Sequence, residues 1–144
     1  MQIRGGVYIN AGWSYSVTGM YQIAPDRKWG FNVSAALNGH EGYPVPYFIG
    51  RVSGFAEGSL NTNIQATANA DDFQLDDVHL LDLRLEKEFG FDDFNFTVGV
   101  ELFNALNDST VLQRQHRLGI STSDYVQEIL SPRIFRAGVR FRFK

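Results

Sequence analysis

Residues 81–89 read LDLRLEKEF and residues 94–102 read FNFTVGVEL, with only GFDD between them. In the first segment the odd-numbered positions are apolar except for Lys87, and the even-numbered positions are all charged. In the second segment the even-numbered positions are apolar, and the odd-numbered ones are Asn, Thr, Gly or Glu. A period of two residues is typical of a β-strand with one apolar and one polar face. The two segments therefore predict antiparallel strands joined by a short turn.

Three further segments alternate in the same way: residues 13–23 (WSYSVTGMYQI), 29–37 (WGFNVSAAL) and 133–143 (RIFRAGVRFRF). The chain thus predicts five two-faced strands of about ten residues each, the length that crosses a tilted bilayer. The connections alternate between short (24–28 and 90–93) and long (38–80 and 103–132). Long loops are uncommon in a compact soluble domain, whereas outer-membrane barrels combine short periplasmic turns with long extracellular loops.

Aromatic residues gather near the ends of the predicted strands, which favours two interfacial girdles at the surfaces of a membrane. The one charged residue inside a predicted apolar face is Lys87, which lies close to a short turn, where its ammonium can reach the interface. The girdle residues that we predict to face lipid are Trp13, Tyr15, Tyr21, Trp29, Phe89, Phe94 and Phe135, with Phe141 and Phe143 beside the short turns. The pattern predicts an all-β fold that forms an antiparallel transmembrane β-barrel segment.

The composition excludes several classes of protein. The chain has 144 residues, a formal net charge of −3 and no cysteine. These values argue against a basic nucleic-acid-binding protein, a disulfide scaffold, a cysteine-based zinc site and thiol catalysis. With 44% hydrophobic and 20% charged residues the chain is too apolar for intrinsic disorder. It also lacks the run of about 20 apolar residues that a transmembrane helix needs.

Candidate chemical sites are few. The three histidines are far apart, in predicted loops, and the acidic residues between 71 and 77 lack the spacing and Gly turn of a calcium loop. Residues 43–47 (YPVPY) predict a rigid aromatic segment that either contacts a ligand or braces the first long connection. Arg114, His116 and Arg117 suit an anionic ligand or an ordinary exposed loop. No nucleophile, base and acid can be placed together, so we predict no enzyme, no catalytic or metal site and no cofactor.

The last strand carries a more specific pattern. Residues 136–143 (RAGVRFRF) resemble the C-terminal β-signal of bacterial outer-membrane proteins, and Lys144 after the final aromatic is a small departure. The resemblance implies that the outer-membrane assembly machinery is a partner and that the C-terminus is periplasmic. The residues of this predicted assembly signal are Arg136, Gly138, Phe141 and Phe143.

Several segments occur in the same order as in the C-terminal end of TonB-dependent receptors: residues 29–33 (WGFNV), 42–47 (GYPVPY), 81–87 (LDLRLEK), 102–107 (LFNALN), 131–133 (SPR) and the terminal strand. The resemblance implies that residues 1–144 form the C-terminal part of a 22-stranded barrel in the bacterial outer membrane. The plug domain and the segment that engages TonB would then belong to a missing N-terminal part of a longer parent protein. The implied function is TonB-dependent ligand uptake, with no ligand-binding residue assigned.

Two alternatives remain open on the sequence: a soluble all-β ligand-binding module, and an outer-membrane barrel protein without a transport function. A requirement for detergent separates the membrane hypotheses from the soluble one. A plug domain upstream of residue 1 would separate the transporter from the other barrel. Five strands are too few to close a barrel, since the smallest barrels have about eight, so we expect the chain alone to be an open sheet.

Overall fold

The computed structural model describes residues 11–52 and 60–143. Within these ranges the protein is all-β and contains no helix, so no described helix is long or apolar enough to cross a membrane. The strands are β1 (Ser14–Ile23), β2 (Phe31–His40), β3 (Phe48–Val52), β4 (Leu60–Gln65), β5 (Val78–Gly90), β6 (Phe94–Phe103), β7 (Val111–Arg114), β8 (Arg117–Leu118), β9 (Val126–Ile129) and β10 (Ile134–Phe143). The chain separates into two compact units, which are described in turn.

The first unit is a five-stranded antiparallel sheet in the order β1-β2-β5-β6-β10. These are the five strands that the alternation predicts, with each boundary within three residues of the predicted position. The sheet is open, and none of the sheets that the described residues form closes into a barrel, because five strands are fewer than the roughly eight that closure requires. No other described strand pairs with the outer edges of β1 and β10.

The pairing register places the alternating apolar positions of the five strands on one face of this sheet, while a few apolar residues such as Met20 and Leu80 lie on the other. Val33 lies opposite Leu85, Leu85 opposite Val100, and Val100 opposite Ala137. The switch from odd-numbered to even-numbered apolar positions between β5 and β6 therefore leaves the face unchanged, as the sequence predicts. Because neighbouring side chains point to opposite faces, the charged positions between them share the other side.

The second unit is formed, within the described ranges, by residues 11–13, 41–77 and 110–130. It shows that the two long connections are not structureless loops, which corrects the expectation from the sequence. In the unit's three-stranded sheet β3 pairs with β4 antiparallel and with β8 parallel, while β7 and β9 form a separate antiparallel pair. Backbone hydrogen bonds join these short strands, for example from Phe48 N to His116 O at 2.9 Å. The alternation of apolar and polar residues in the sequence does not predict these pairings.

Residues 43–47 run beside residues 73–75 in this unit. Val45 N donates to Phe73 O at 2.7 Å and Leu75 N donates to Tyr43 O at 3.0 Å. Gly42 is required just before this segment, because a Cβ there would lie 1.7 Å from the Leu75 oxygen. The aromatic segment predicted from the sequence is thus held by its backbone.

Candidate membrane-facing surface

The apolar side of the five-stranded sheet, which we call the apolar face, is largely exposed. It carries the apolar positions of β1, β2, β5, β6 and β10, and its side chains at the two edges are the most open: Val17 is 61% exposed, Phe135 67% and Val139 57%. In the described sheet the one buried apolar side chain is Val78, at the start of β5. An apolar surface spread over five neighbouring strands is far larger than the isolated exposed residues of ordinary soluble proteins, and marks a contact with lipid or another protein.

Aromatic rings form a row across the apolar face near the short turns. The ring centroids of Phe89 and Phe96 are 4.7 Å apart and those of Phe96 and Phe141 are 6.0 Å apart, which links β5, β6 and β10. In the turn between β5 and β6, Phe91 stacks on Phe94 at 4.7 Å. Phe91 and Phe96 were missing from the predicted girdle, although their position beside the short turn could have suggested them.

The other predicted girdle residues lie where the sequence places them along the strands. Tyr21 is near the end of β1 and Trp29 is in the turn before β2, while Trp13 immediately precedes β1 and Phe135 lies at the start of β10. Trp29 and Tyr21 are both exposed, at 62% and 72%. Contact of these rings with lipid headgroups stays a prediction.

At the end of the sheet away from the short turns, Tyr15 makes a polar contact with His79. Its hydroxyl lies 2.9 Å from His79 Nδ1, and the two rings stack with centroids 6.1 Å apart. Gly39 fits beneath the Tyr15 ring, since a Cβ there would lie 2.6 Å from it. His79 and His40 both belong to strands, so the expectation that all three histidines lie in loops was wrong. Strand β5 begins before the regular alternation does, which is why the sequence pattern missed His79.

Lys87 is the charged residue within the apolar face. Its ammonium donates hydrogen bonds to the backbone oxygens of Lys28 and Gly30, and its nitrogen lies 5.6 Å from the Phe89 ring centroid. The side chain therefore extends along the apolar face to the turn between β1 and β2. This is the behaviour expected of a lysine that reaches towards an interface.

The opposite side of the sheet, the polar face, carries a charge network centred on Glu101. Arg84 Nη1 lies 3.0 Å from Glu101 Oε1, and Arg136 on β10 pairs with the other oxygen of the same carboxylate. Arg84 also pairs with Glu86 on its own strand. The register places Arg84, Glu101 and Arg136 opposite one another on three adjacent strands, a relation that no single segment of sequence reveals.

The predicted assembly signal occupies β10 and presents both faces. Arg136 and Gly138 lie on the polar face, with Gly138 opposite Gly99, whereas Phe141 and Phe143 lie on the apolar face opposite Phe96 and Phe94. All four residues are exposed on this edge strand. Strand β10 is thus available along its whole outer edge for pairing with another strand.

A hydrogen-bonded cluster around Asn104 joins the end of β6 to the segment before β10. The Asn104 side chain is the buried polar group of the described residues, at 2% exposure. Its Nδ2 donates to Asp108 O at 2.8 Å and to Ser131 O at 2.7 Å, and its Oδ1 accepts from Asp108 N at 3.0 Å. Its backbone has a φ of 48°, a conformation that Asn tolerates better than most residues. This cluster gives the LFNALN segment a definite structural role.

We expect Asn104→Ala to lower the free energy of unfolding by about 2–3 kcal/mol, because it removes three hydrogen bonds that a buried side chain makes. Asn107 is the matched control: it also has a positive φ, 56°, but is exposed and accepts a single bond, from Arg133 N at 3.1 Å. Urea unfolding of the refolded chain in detergent micelles should show a loss for Asn107→Ala of less than half that for Asn104→Ala. Equal losses would contradict the role of the Asn104 side chain.

In the second unit, Tyr47 connects an aromatic and a charged pair. Its hydroxyl donates to Asp124 Oδ1 at 2.5 Å, Asp124 pairs with Arg114 at 3.3 Å, and its ring meets Phe73 edge to face at 5.4 Å. The hydrogen bond to Asp124 is the main cause that raises the pKa of Tyr47, with burial and the Asp124 charge adding to it. Arg114 is therefore engaged within the protein, and the structure gives Arg114, His116 and Arg117 no common ligand site.

The raised pKa of Tyr47 predicts a pH dependence in the alkaline range. The folded unit holds the Tyr47 proton more tightly than the unfolded chain does, so this contribution to stability is complete below pH 10 and is lost as the pH rises through the folded pKa. The difference in tyrosinate absorbance between the natural chain and Tyr47→Phe should give a midpoint above 10. Asp124→Asn should move that midpoint back towards 10. A midpoint at the ordinary value in the natural chain would refute this prediction.

The acidic residues of the first long connection have local structural partners. Asp72 accepts hydrogen bonds from the backbone and side chain of Asn69, which lower its pKa, and Asp77 accepts from Gly42 N at 3.0 Å. Within residues 11–52 and 60–143, no three histidine or acidic side chains are grouped so that they could hold a metal ion.

Comparisons with models of protein families, with curated proteins and with solved structures found no match. The interpretation of this surface therefore depends on its geometry and chemistry. The main features are an exposed apolar face, aromatic rings near its ends, and an ion-paired polar face behind it.

Proposed function

We propose that the five-stranded sheet is the membrane-embedded part of a bacterial outer-membrane β-barrel, in a transporter that resembles TonB-dependent receptors. The observation that carries the proposal is the apolar face, which extends over all five strands, is exposed along β1 and β10 and half-buried on β6, and has a polar face directly behind it. Transmembrane barrels place apolar side chains towards lipid and polar ones towards the lumen, in strands of about this length.

The exposure of the apolar face distinguishes lipid from a protein core. In a soluble β-sandwich the apolar faces of two sheets cover each other and become the buried core. Here the large side chains at the middle of β1 and β10 remain more than half exposed. Lys87 supports the same interpretation, because its ammonium reaches the turn between β1 and β2 and so lies away from the middle of the strands.

The polar face suits the lumen of a larger barrel. Its charges include acids and bases on adjacent strands, and Glu101 is shared between two arginines. Neutralisation of this kind allows charged side chains to stand close together on a sheet. Because five strands cannot close, the proposal requires further strands on both edges, which the parent barrel would supply together with its plug domain.

Ligand uptake rests on the resemblance of the quoted segments to TonB-dependent receptors, with TonB engaged by a part of the parent outside this chain. The proposal is tested by fractionating a Gram-negative host that carries the parent gene and detecting the chain with an antibody. We expect the antigen in the outer-membrane fraction, extracted by detergent and not by alkaline carbonate. Recovery in the soluble fraction would contradict the proposal and favour a soluble binding module.

The proposed assembly signal predicts a kinetic phenotype. In the parent barrel, Phe141→Ala combined with Phe143→Ala should leave unassembled precursor in the periplasm, because the exposed β10 edge and its aromatics would dock on the assembly machinery by strand addition. Phe89→Ala is the control, since Phe89 shares the aromatic row but lies outside the signal. It should assemble at the normal rate into a less heat-resistant barrel. Pulse-chase labelling that shows normal assembly of the double variant would contradict the signal.

A further inference from the structure

The outer edge strand β10 carries an incomplete set of ion pairs on its polar face. Arg136, Arg140 and Arg142 share this face. Arg136 pairs with Glu101, whereas Arg140 and Arg142 have no ion pair or side-chain hydrogen bond with any residue of the described ranges. Two guanidinium groups on one edge are thus left for a partner outside the sheet.

The neighbouring strand β6 does not offer that partner. Thr97 lies opposite Arg140 and Asn95 lies opposite Arg142, so no carboxylate faces either arginine across the ladder. The next acid at this level is Glu88, opposite Thr97 on β5. It is two strands from β10, roughly 10 Å at the usual spacing of strands. Glu86 and Glu88 line one cavity with Arg140 and Arg142, but within the described residues neither acid forms an ion pair with these arginines. The open side of β10 is therefore the remaining position directly adjacent to both guanidinium groups.

We propose that the open edge of β10 binds an antiparallel β-strand that carries carboxylates at alternating positions on the polar face and apolar residues on the other. The proposal rests on the function proposed above and specifies the chemistry of the strand that adjoins β10. Arg140 and Arg142 are two residues apart, about 7 Å along the strand, so acids at positions i and i+2 of the partner match them. Val139 and Phe141 on the reverse side require apolar neighbours.

A second copy of this chain does not satisfy the arginines. When two β10 strands pair antiparallel with their apolar faces on the same side, the arginine column faces itself, and like charges directly opposite destabilise a strand pair. Strand β1 offers Ser14, Ser16, Thr18, Met20 and Gln22 on its polar face, and none of these is acidic. The antiparallel sheet has five strands, so its two edge strands, β1 and β10, run in the same direction. If β10 of one copy lay beside β1 of a second copy in the same orientation, the two strands would pair parallel.

The test uses the full chain in zwitterionic detergent micelles and two capped ten-residue peptides, one alternating Glu with Val and the other Lys with Val. Binding is measured by fluorescence anisotropy of labelled peptide at low salt. We expect the Glu peptide to bind about tenfold more tightly than the Lys peptide, with the difference shrinking at high salt. Arg140→Gln with Arg142→Gln should abolish the preference, and Arg140→Glu with Arg142→Glu should reverse it.

Arg27→Gln with Lys28→Gln is the matched control, because it removes two positive charges from the exposed turn between β1 and β2 and should leave the preference intact. Far-UV circular dichroism confirms that each variant remains folded. A natural chain without preference, or a preference that survives both β10 variants, would overturn the proposal. If the chain proves monomeric without detergent, the membrane proposal fails, and the same comparison in buffer still tests the β10 edge.

Discussion

Refolded in buffer without detergent, the chain is expected to aggregate. The apolar face exposes large side chains such as Tyr21, Val139 and Phe141, and each square ångström of apolar surface kept in water costs about 25 cal/mol. The unpaired edges of β1 and β10 add backbone groups that pair readily with other chains. Hydrophobic contact and edge pairing therefore act together.

Analytical ultracentrifugation below and above the critical micelle concentration of a zwitterionic detergent measures this behaviour. Below it, most of the protein should sediment as large species, and above it the chain should form a uniform protein–detergent complex. A monodisperse monomer that melts cooperatively without detergent would contradict the lipid-facing assignment and support the soluble module.

The second large effect concerns a pair of neighbouring residues on β10. Val139 lies opposite Val98 on the apolar face, and Arg140 lies opposite Thr97 on the polar face, both near the middle of the strand. In the parent barrel Val139→Arg would place a charge near the midplane of the bilayer, at a cost of roughly 2–4 kcal/mol. Arg140→Val, on the lumen side, should change the free energy of unfolding by less than about 1 kcal/mol.

Urea unfolding of the parent barrel in lipid vesicles compares the two variants directly. Val139→Leu serves as the control for a change of shape without charge and should behave like the natural protein. Equal tolerance of Val139→Arg and Arg140→Val would show that the two faces of β10 are assigned incorrectly.

The five long strands could be predicted from the sequence because each has its own period-two pattern, and a meander pairs neighbours along the chain. The strands of the second unit could not, since β8 is two residues long and its parallel partner β3 is far away in the sequence. The aromatic ends of the strands were also visible in the pattern, whereas the ring row through Phe96 depends on the register of three strands.

The polar face illustrates the same limit. In the sequence, Glu101 is an ordinary polar position of β6. Its place between Arg84 and Arg136 follows only from the register of β5, β6 and β10. Asn104 was part of a quoted segment, but its hydrogen bonds to Asp108 and Ser131 depend on how the following connection returns to the sheet. Contacts between distant segments cannot be predicted from the period-two pattern within any one segment.

The most direct test of the central claim is to measure which side chains touch lipid. The chain has no cysteine, so single cysteines can be introduced at Thr97, Val98, Val139 and Arg140 within the parent barrel and labelled with a nitroxide in protein reconstituted into lipid vesicles. We predict that labels at Val98 and Val139 are accessible to oxygen dissolved in the bilayer and shielded from a water-soluble nickel complex. Labels at Thr97 and Arg140 should show the reverse. Equal accessibility at neighbouring positions would contradict the account.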